Sequence, residues 1–138
     1  MKKALILSLI VLINLYRLNA QTIVGTEPEN KHVVLEEFTG MKCGYCPDGH
    51  AVAQAIKDEH PQDVVLINIH QGGFATPQGG EPDYRTPRGD ALADQAGVES
   101  YPSGTINRHV FSGANTGMGR ENWATTANQI LTQESYLN

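Results

Sequence analysis

The chain has 138 residues, of which 40% are hydrophobic and 18% are charged, and its formal net charge is −5. This length fits one compact domain, and the composition is that of a globular chain rather than an unfolded one. The first twenty residues hold three of the ten basic residues and no acidic one. Without them, seven basic residues stand against fifteen acidic ones and the charge becomes −8, which argues against nucleic acid as the main partner.

The first twenty residues have the pattern of a cleaved export signal. Two lysines form a charged start, residues 4–13 form an apolar run, and Ala20 places a small residue before a cleavage point. A membrane anchor is the alternative, but a spanning helix needs ~20 apolar residues and this run stops after about ten. We therefore expect a signal peptide over residues 1–20 and a mature domain over residues 21–138. That domain would lie in the periplasm or cell envelope, where disulfides persist.

The sequence holds two cysteines, Cys43 and Cys46, in a C-x-x-C arrangement. A bridge between near neighbours closes a short loop and removes little entropy from the unfolded chain, so the pair is a poor structural staple. The same spacing suits a dithiol that closes on itself during thiol–disulfide exchange. Attachment of a c-type haem is excluded, because Pro47 stands where that motif needs histidine.

The segments around the motif predict a strand, the dithiol, a helix and a second strand. Residues 33–38 form a short β-rich run that leads into the motif. Pro47 then fits a first helical turn, and apolar residues recur at helical spacing until Pro61. Residues 64–69 are apolar except for one asparagine, as expected when both faces of a parallel sheet are covered. This order implies a right-handed parallel crossover.

The second half of the chain predicts a loop, two further strands and two helices. Residues 71–87 are rich in glycine and proline and indicate a surface loop. A helix is predicted from about residue 88 to residue 96, where Gly97 suits a C-terminal cap. The remaining predicted elements are a strand that opens over residues 101–106, a fourth strand that starts at Val110 and Phe111, and a closing helix over residues 120–131. The predicted order is β-α-β, a loop and helix, then β-β-α.

Three segments together resemble the thioredoxin fold over nearly the whole mature chain. Residues 37–46 look like the strand and active-site segment, residues 64–69 like the central strand, and residues 98–103 like the approach to the family's cis-proline. More narrowly, Leu-Glu-Glu-Phe-Thr-Gly before Cys-Gly-Tyr-Cys-Pro, with Tyr-Pro-Ser-Gly-Thr-Ile-Asn-Arg later, is similar to the thioredoxin-like domain of the bacterial twenty-eight-kilodalton outer membrane protein family. The resemblance implies an α/β fold with a central mixed four-stranded sheet flanked by helices. Members usually continue into a further C-terminal region, so a fragment and a short paralogue are both open.

The resemblance assigns roles to the dithiol and to a nearby carboxyl group. Cys43, where the helix begins, is the expected nucleophile because a helix N-terminus stabilises a thiolate, and Cys46 is the expected resolving thiol. Glu37, six residues before Cys43, is the implied buried acid, which would take the proton of Cys46. Glu36 and Glu37 point to opposite faces of the strand, so we expect one of them to face inward. A solvated strand residue is the alternative reading of Glu37.

The same resemblance implies a substrate-binding surface beside the dithiol. A cis bond between Tyr101 and Pro102 would present the backbone of Tyr101 to an extended substrate segment. Gly44 and Tyr45, between the cysteines, complete the expected substrate-binding residues, and ordinary packing is the alternative for Tyr101. Lys42 stands where the family usually has tryptophan, and its charge would favour a thiolate.

A zinc site is a weaker alternative for the dithiol. His50 lies on the same helical face as Cys46 and could join both cysteines with His60 or His70. No residue clearly supplies a fourth ligand, so we expect neither a metal nor a cofactor.

Two classes of function fit these residues. The first, which we favour, is a thiol–disulfide oxidoreductase of reductase or isomerase type that acts on protein thiols or disulfides. We expect it to be a monomer with an unidentified redox partner and a peripheral association with the envelope. The second is a non-catalytic binding or structural module with a permanent disulfide, in which residues 71–87 recognise a partner. Because the fold alone cannot separate these two classes, the reactivity of the dithiol decides between them.

Overall fold

The computed structural model describes residues 27–136. Residues 1–26 and 137–138 lie outside the described residues, and with them the whole predicted signal peptide and its cleavage point. Within residues 27–136, no helix is long and apolar enough to cross a bilayer.

The described residues form a four-stranded sheet with three α-helices. The strands are β1 (Val33–Thr39), β2 (Val64–His70), β3 (Ser103–Ile106) and β4 (Met118–Gly119). The helices are α1 (Cys46–Glu59), α2 (Pro87–Ala96) and α3 (Trp123–Leu131), with short 3₁₀ helices at Gly73–Ala75 and Arg120–Asn122. This confirms the predicted order of elements.

The sheet order is β2-β1-β3-β4. β1 and β2 are parallel, with Val33 opposite Val64 and Thr39 opposite His70, as the strand–helix–strand pattern predicts. β3 runs antiparallel to both β1 and β4, and Ser103 at its start lies opposite Phe38 near the end of β1. The carboxyl ends of β1 and β2 therefore lie at the same end of the sheet as the beginning of β3.

β1 is the central strand, and both of its faces are covered. Val33 and Leu35 belong to a core shared with helices α1 and α3, whose other fully or nearly buried members are Ala53, Ile56, Val64, Ile106, Trp123, Ala127 and Ile130. Phe38, on the opposite face, packs with Ala93 and Ala96 of α2. Each large apolar side chain buried in this way stabilises the fold by roughly 1.5–3 kcal/mol.

The prediction that both faces of β2 are covered is wrong. β2 is an edge strand, and Val65 and Ile67 are 50% and 42% exposed. Helix α2 packs near the end of the strand, where Gly89 lies against Ile69, and it leaves the earlier residues of that face uncovered.

The fourth strand is Met118–Gly119 and does not start at Val110 and Phe111 as predicted. Asn107 and Arg108 adopt a φ of 49°, which turns the chain after β3. Val110 is then 44% exposed, while Phe111 packs against the core without pairing in the sheet. The position of β4 follows from long-range pairing with β3, which a local β-rich pattern does not encode.

Glu36 is buried beside Arg108. Its side chain accepts hydrogen bonds from Thr105 Oγ1 at 2.9 Å and Arg108 Nε at 2.8 Å, and Arg108 Nη2 makes a second contact with the same carboxylate. The hydrogen bonds from Arg108 hold the pKa of Glu36 below its ordinary value, although burial acts in the opposite direction. Glu36 is 5% exposed and Glu37 is 1% exposed, so the structure buries both carboxyl groups, where the sequence predicted one.

Gly104 of β3 lies where no side chain fits. A Cβ atom at this position would lie 2.9 Å from the backbone oxygen of Glu36 and 2.9 Å from the ring of Trp123. We therefore expect Gly104→Ala to lower the free energy of unfolding by about 1–3 kcal/mol, as overpacking usually does. Urea denaturation measures this loss. Gly73→Ala is the matched control, because a Cβ there meets nothing within 4 Å, and equal stability of the two variants would contradict the packing argument.

Arg108→Ala should leave the buried Glu36 carboxylate without its cation and cost about 1–3 kcal/mol of stability at neutral pH. Because the folded-state pKa of Glu36 lies below the ordinary value of 4.5, its stabilising contribution is present above that value and is lost as the pH falls through the folded pKa. The stability difference between wild type and variant should therefore shrink in acid. Denaturation across pH 2–7 tests this, with the exposed Arg88→Ala as control, and a difference independent of pH would argue against the pairing.

Candidate active site

Cys43 and Cys46 lie at the end of the sheet where β1 stops and α1 begins. They form a disulfide, with their Cα atoms 5.4 Å apart. α1 begins at Cys46, with Tyr45 as its N-cap and Pro47 in its first turn. Cys43 thus lies just before the helix N-terminus, where unpaired backbone N–H groups and the helix dipole favour a negative charge.

The two cysteines differ in their access to solvent. Cys43 is 7% exposed and Cys46 is 1% exposed. Between them, Gly44 faces open space, because a Cβ there would meet nothing within 4 Å, and Tyr45 is 71% exposed. Cys43 is therefore the more exposed of the two cysteines, and open space lies beside the neighbouring Gly44.

Glu37 lies beneath the first turns of α1 and is 1% exposed. Its Oε1 atom has no hydrogen-bond partner among the described residues. A Cβ at Gly49 would lie 2.8 Å from this Oε1 and 2.8 Å from the ring of Pro102, so the carboxyl group and Pro102 both pack against the helix at Gly49. Gly49 is three residues after Cys46 and shares its helix face, which brings the carboxyl group to the side of the helix that carries the buried cysteine.

His50 of α1 contacts the carboxyl group of Glu37. Its Nδ1 lies 2.9 Å from Glu37 Oε2, and its Nε2 lies 3.4 Å from Thr39 Oγ1. Desolvation raises the pKa of Glu37, and the charge and hydrogen bond of His50 oppose that rise. The His50 side chain is 42% exposed, so the pair joins a buried acid to the surface.

The sequence signal for this pair is the spacing of four residues between Cys46 and His50, which places both on one helix face. By sequence alone this spacing also suits the zinc alternative, but in the structure His50 Nδ1 contacts Glu37 Oε2. His60 caps the opposite end of α1. Among residues 27–136, no three histidine, cysteine or acidic side chains cluster as a metal site would require.

Tyr101 and Pro102 lie beside the dithiol helix, and their peptide bond is cis, as the resemblance implies. Pro102 approaches Gly49, and the hydroxyl of Tyr101 donates a hydrogen bond to Gln71 Oε1. Burial raises the pKa of Tyr101, and the charges of two acidic residues of α2 raise it further. The ring of Tyr101 meets the ring of Phe74 edge-on, with centroids 5.7 Å apart. Tyr101 therefore packs against the loop, while Pro102 packs against α1.

The loop over residues 71–87 folds back onto the segment that precedes Cys43. Lys42 donates its backbone N–H to the carbonyl of Phe74 at 2.9 Å, and its ammonium group pairs with Glu81. Gly40 packs so closely on the backbone of Phe74 that a Cβ would overlap it. The charge of Lys42, expected to favour a thiolate, is thus shared with the carboxylate of Glu81.

Exposed apolar side chains surround the dithiol. Met41, Tyr45 and Phe74 are 37%, 71% and 47% exposed, and they come from the segment before Cys43, the motif itself and the loop. These side chains leave exposed apolar area on the motif, on the segment before it and on the loop that packs against that segment.

No family model and no curated protein matches this sequence. Among solved structures, HBP35 of Porphyromonas gingivalis is similar at 25% identity, with a TM-score of 0.53 over 75% of this chain and 34% of that one. A structural-genomics protein from Agrobacterium tumefaciens is similar at 16% identity, with a TM-score of 0.52 over 75% of this chain and 45% of that one. The exposed lipoprotein thioredoxin Etrx1 from Streptococcus pneumoniae matches at 19% identity, with a TM-score of 0.49 over 72% of this chain and 86% of that one.

This chain spans less than half the length of the first two of these proteins. The parallel β1–β2 pair, the antiparallel β3 and β4 and the helices on both faces of the sheet agree with the architecture that the sequence resemblance implies. The chain has a thioredoxin-like fold.

Proposed function

We propose that this protein is an extracytoplasmic thiol–disulfide oxidoreductase that exchanges disulfides of protein partners through Cys43 and Cys46. The observation that carries the proposal is the disulfide at the N-terminus of α1, with the buried carboxyl group of Glu37 beneath that helix. A structural bridge between such close neighbours needs neither an open approach at Gly44 nor a buried acid. A redox dithiol uses both.

The reaction follows from the geometry of the two sulfurs. The Cys43 thiolate attacks one sulfur of a partner disulfide, a bond forms between Cys43 and the partner, and the other partner sulfur leaves as a thiolate. Cys46 then loses its proton and attacks Cys43, so the Cys43–Cys46 bond forms and the second partner sulfur leaves. The thiols of Cys43 and Cys46 are oxidised to a disulfide, and one partner disulfide is reduced to two thiols. The same steps in the reverse order oxidise a partner dithiol.

Glu37 is the proposed acceptor for the proton of Cys46. Desolvation raises the pKa of Glu37 and so brings that pKa closer to neutral pH. A general base works best when its pKa lies near the pH at which the enzyme operates. The unpaired Oε1 lies on the helix face that carries Cys46, against Gly49 and Pro102. Each turnover would protonate Glu37 once as Cys46 becomes a nucleophile.

The setting outside the cytoplasm is part of the proposal. The export-signal pattern of residues 1–20 supports it, and so does the similarity of the motif segments to the thioredoxin-like domain of the twenty-eight-kilodalton outer membrane protein family. An oxidising compartment would supply disulfides for exchange. The exposed apolar side chains of Met41, Tyr45 and Phe74 support protein substrates.

A glutathione redox buffer tests this function directly. We expect the Cys43–Cys46 couple of residues 21–138 to equilibrate with glutathione at a potential between about −120 and −270 mV. Cys46→Ser should trap a mixed disulfide with glutathione on Cys43, because the resolving thiol is absent. Cys43→Ser should trap far less, since Cys46 is nearly inaccessible. The adducts are counted by mass spectrometry.

A potential below about −300 mV, with no adduct on either variant, would contradict the oxidoreductase. That outcome would favour a binding module in which the disulfide is permanent and residues 71–87 contact a partner.

Glu37→Gln should slow disulfide exchange by roughly tenfold or more, because an amide cannot accept the proton of Cys46. The same variant should be more stable than wild type at neutral pH, because glutamine removes the cost of ionising a buried carboxyl group. Since burial raises the folded-state pKa of Glu37 above 4.5, the wild type loses stability as the pH rises from that value through the folded pKa, and glutamine abolishes this loss. Exchange kinetics and urea denaturation at several pH values measure the two effects.

Glu36→Gln is the matched control for this substitution, because it changes the adjacent carboxyl group on the other face of β1. It should lower stability at neutral pH through the loss of the charged contact with Arg108, and it should leave the exchange rate nearly unchanged. An equal slowing of exchange in both variants would contradict the specific role of Glu37.

A further inference from the structure

We propose that His50 is the positioning residue that connects Glu37 to solvent and carries the proton of Cys46 out of the buried site. This inference rests on the function proposed above and extends it to the fate of the proton. It starts from the hydrogen bond between His50 Nδ1 and Glu37 Oε2, at 2.9 Å.

The burial of Glu37 is what makes a relay necessary. A carboxyl group that is 1% exposed has almost no direct contact with water, and one of its two oxygens has no hydrogen-bond partner among the described residues. A proton taken from Cys46 must leave Glu37 before the next turnover. The half-exposed ring of His50, bonded to the other oxygen, provides a path to the surface.

The residues paired with Glu37 across the sheet cannot accept its proton, whereas His50 can. Across the sheet, Glu37 lies opposite Asn68 of β2 and Gly104 of β3, and neither residue carries a charge or titrates. On α1, Asp48 pairs with Arg120 at the surface, whereas His50 is hydrogen-bonded to Glu37 and its charge acts on that carboxyl group. Histidine is also the side chain whose ordinary pKa lies nearest to neutral pH, so it accepts and releases protons there.

The proton steps balance with the disulfide chemistry. Cys46 gives its proton to the Glu37 carboxylate, and its electron pair forms the bond to Cys43 while the partner thiolate leaves. Glu37 passes the proton to Nδ1 of His50, and the ring releases a proton from Nε2 to solvent. The contact of Nε2 with Thr39 Oγ1, at 3.4 Å, is long enough for water to compete for that nitrogen. During reduction of the disulfide the same steps run in reverse.

The test separates attack by Cys43 from resolution by Cys46. Reduced protein is mixed with dithiobis-nitrobenzoate in a stopped-flow instrument. The first thionitrobenzoate is released when Cys43 attacks, and the second when Cys46 resolves the mixed disulfide. In Cys46→Ser the second phase should be absent, which assigns the two phases. Because thionitrobenzoate leaves without needing a proton, the second phase reports how easily Cys46 loses its own.

His50→Ala should slow the second phase about tenfold and leave the first phase within about twofold of wild type, a loss below the ~10²–10⁴ of a group that itself exchanges the proton. Added imidazole should restore part of the lost rate. The contacts of His50 lower the pKa of Glu37, so their removal should move the acid limb of the second phase to higher pH. A purely structural histidine would produce neither the rescue nor the shift. His109→Gln, an exposed histidine that follows the far end of β3, is the control and should match wild type.

The outcomes distinguish this inference from the proposed function. If the wild type exchanges with glutathione and His50→Ala keeps a normal second phase, the relay is wrong and the oxidoreductase stands. If the wild type does not exchange, both are wrong. Should the alanine variant fail to fold, the solvent isotope effect on the wild type decides: a larger effect on the second phase than on the first supports the relay, and equal effects overturn it.

Discussion

The burial of β1 on both faces is the constraint on which the rest of this structure depends. The strand is hydrogen-bonded to β2 along one edge and to β3 along the other, while α1 and α3 cover one face and α2 covers the opposite one. Its end at Thr39 therefore has little freedom to move. Because Cys43 follows only four residues later, the position of the dithiol depends on an interior strand of the sheet.

The same constraint explains why the pKa values of two adjacent carboxyl groups shift in opposite directions. A strand with both faces covered must bury Glu36 and Glu37 alike, and a buried carboxyl group either finds a cation or resists ionisation. Glu36 meets Arg108, a permanent cation that keeps it ionised and ties β1 to the turn after β3. Glu37 meets the half-exposed ring of His50 instead of an arginine, and burial raises the pKa of this carboxyl group. The first pairing joins β1 to the turn after β3, and the second leaves a buried carboxyl group with a raised pKa beneath α1.

Three segments distant in sequence form the surface around the disulfide. They are residues 40–46, the loop that begins at Gln71, and Tyr101 with Pro102. These segments meet because β1 and β2 stop at the same end of the sheet at which β3 starts. The backbone of Gly40 against Phe74, the pairing of Lys42 with Glu81 and the hydrogen bond from Tyr101 to Gln71 hold the segments together. A loop whose glycine- and proline-rich sequence predicts a solvated surface segment thus packs against the residues that precede the disulfide.

The amino-acid sequence by itself determined the order of elements and the dithiol with its adjoining helix. These rest on local rules: hydrophobic periodicity and the preference of proline for a first helical turn. The burial of Glu37 was implied by the family resemblance, whereas the alternation of side chains along a strand predicted only one buried carboxyl group of the two. Sequence reasoning did not find the exposed edge of β2, the location of β4, or the partners of Glu36, Glu37 and Lys42. Arg108 is 72 residues from Glu36 and Glu81 is 39 residues from Lys42, and no periodic pattern links positions so far apart. Only the tertiary structure decided those pairings, because an ion pair or a hydrogen bond depends on which side chains the folded backbone brings within reach.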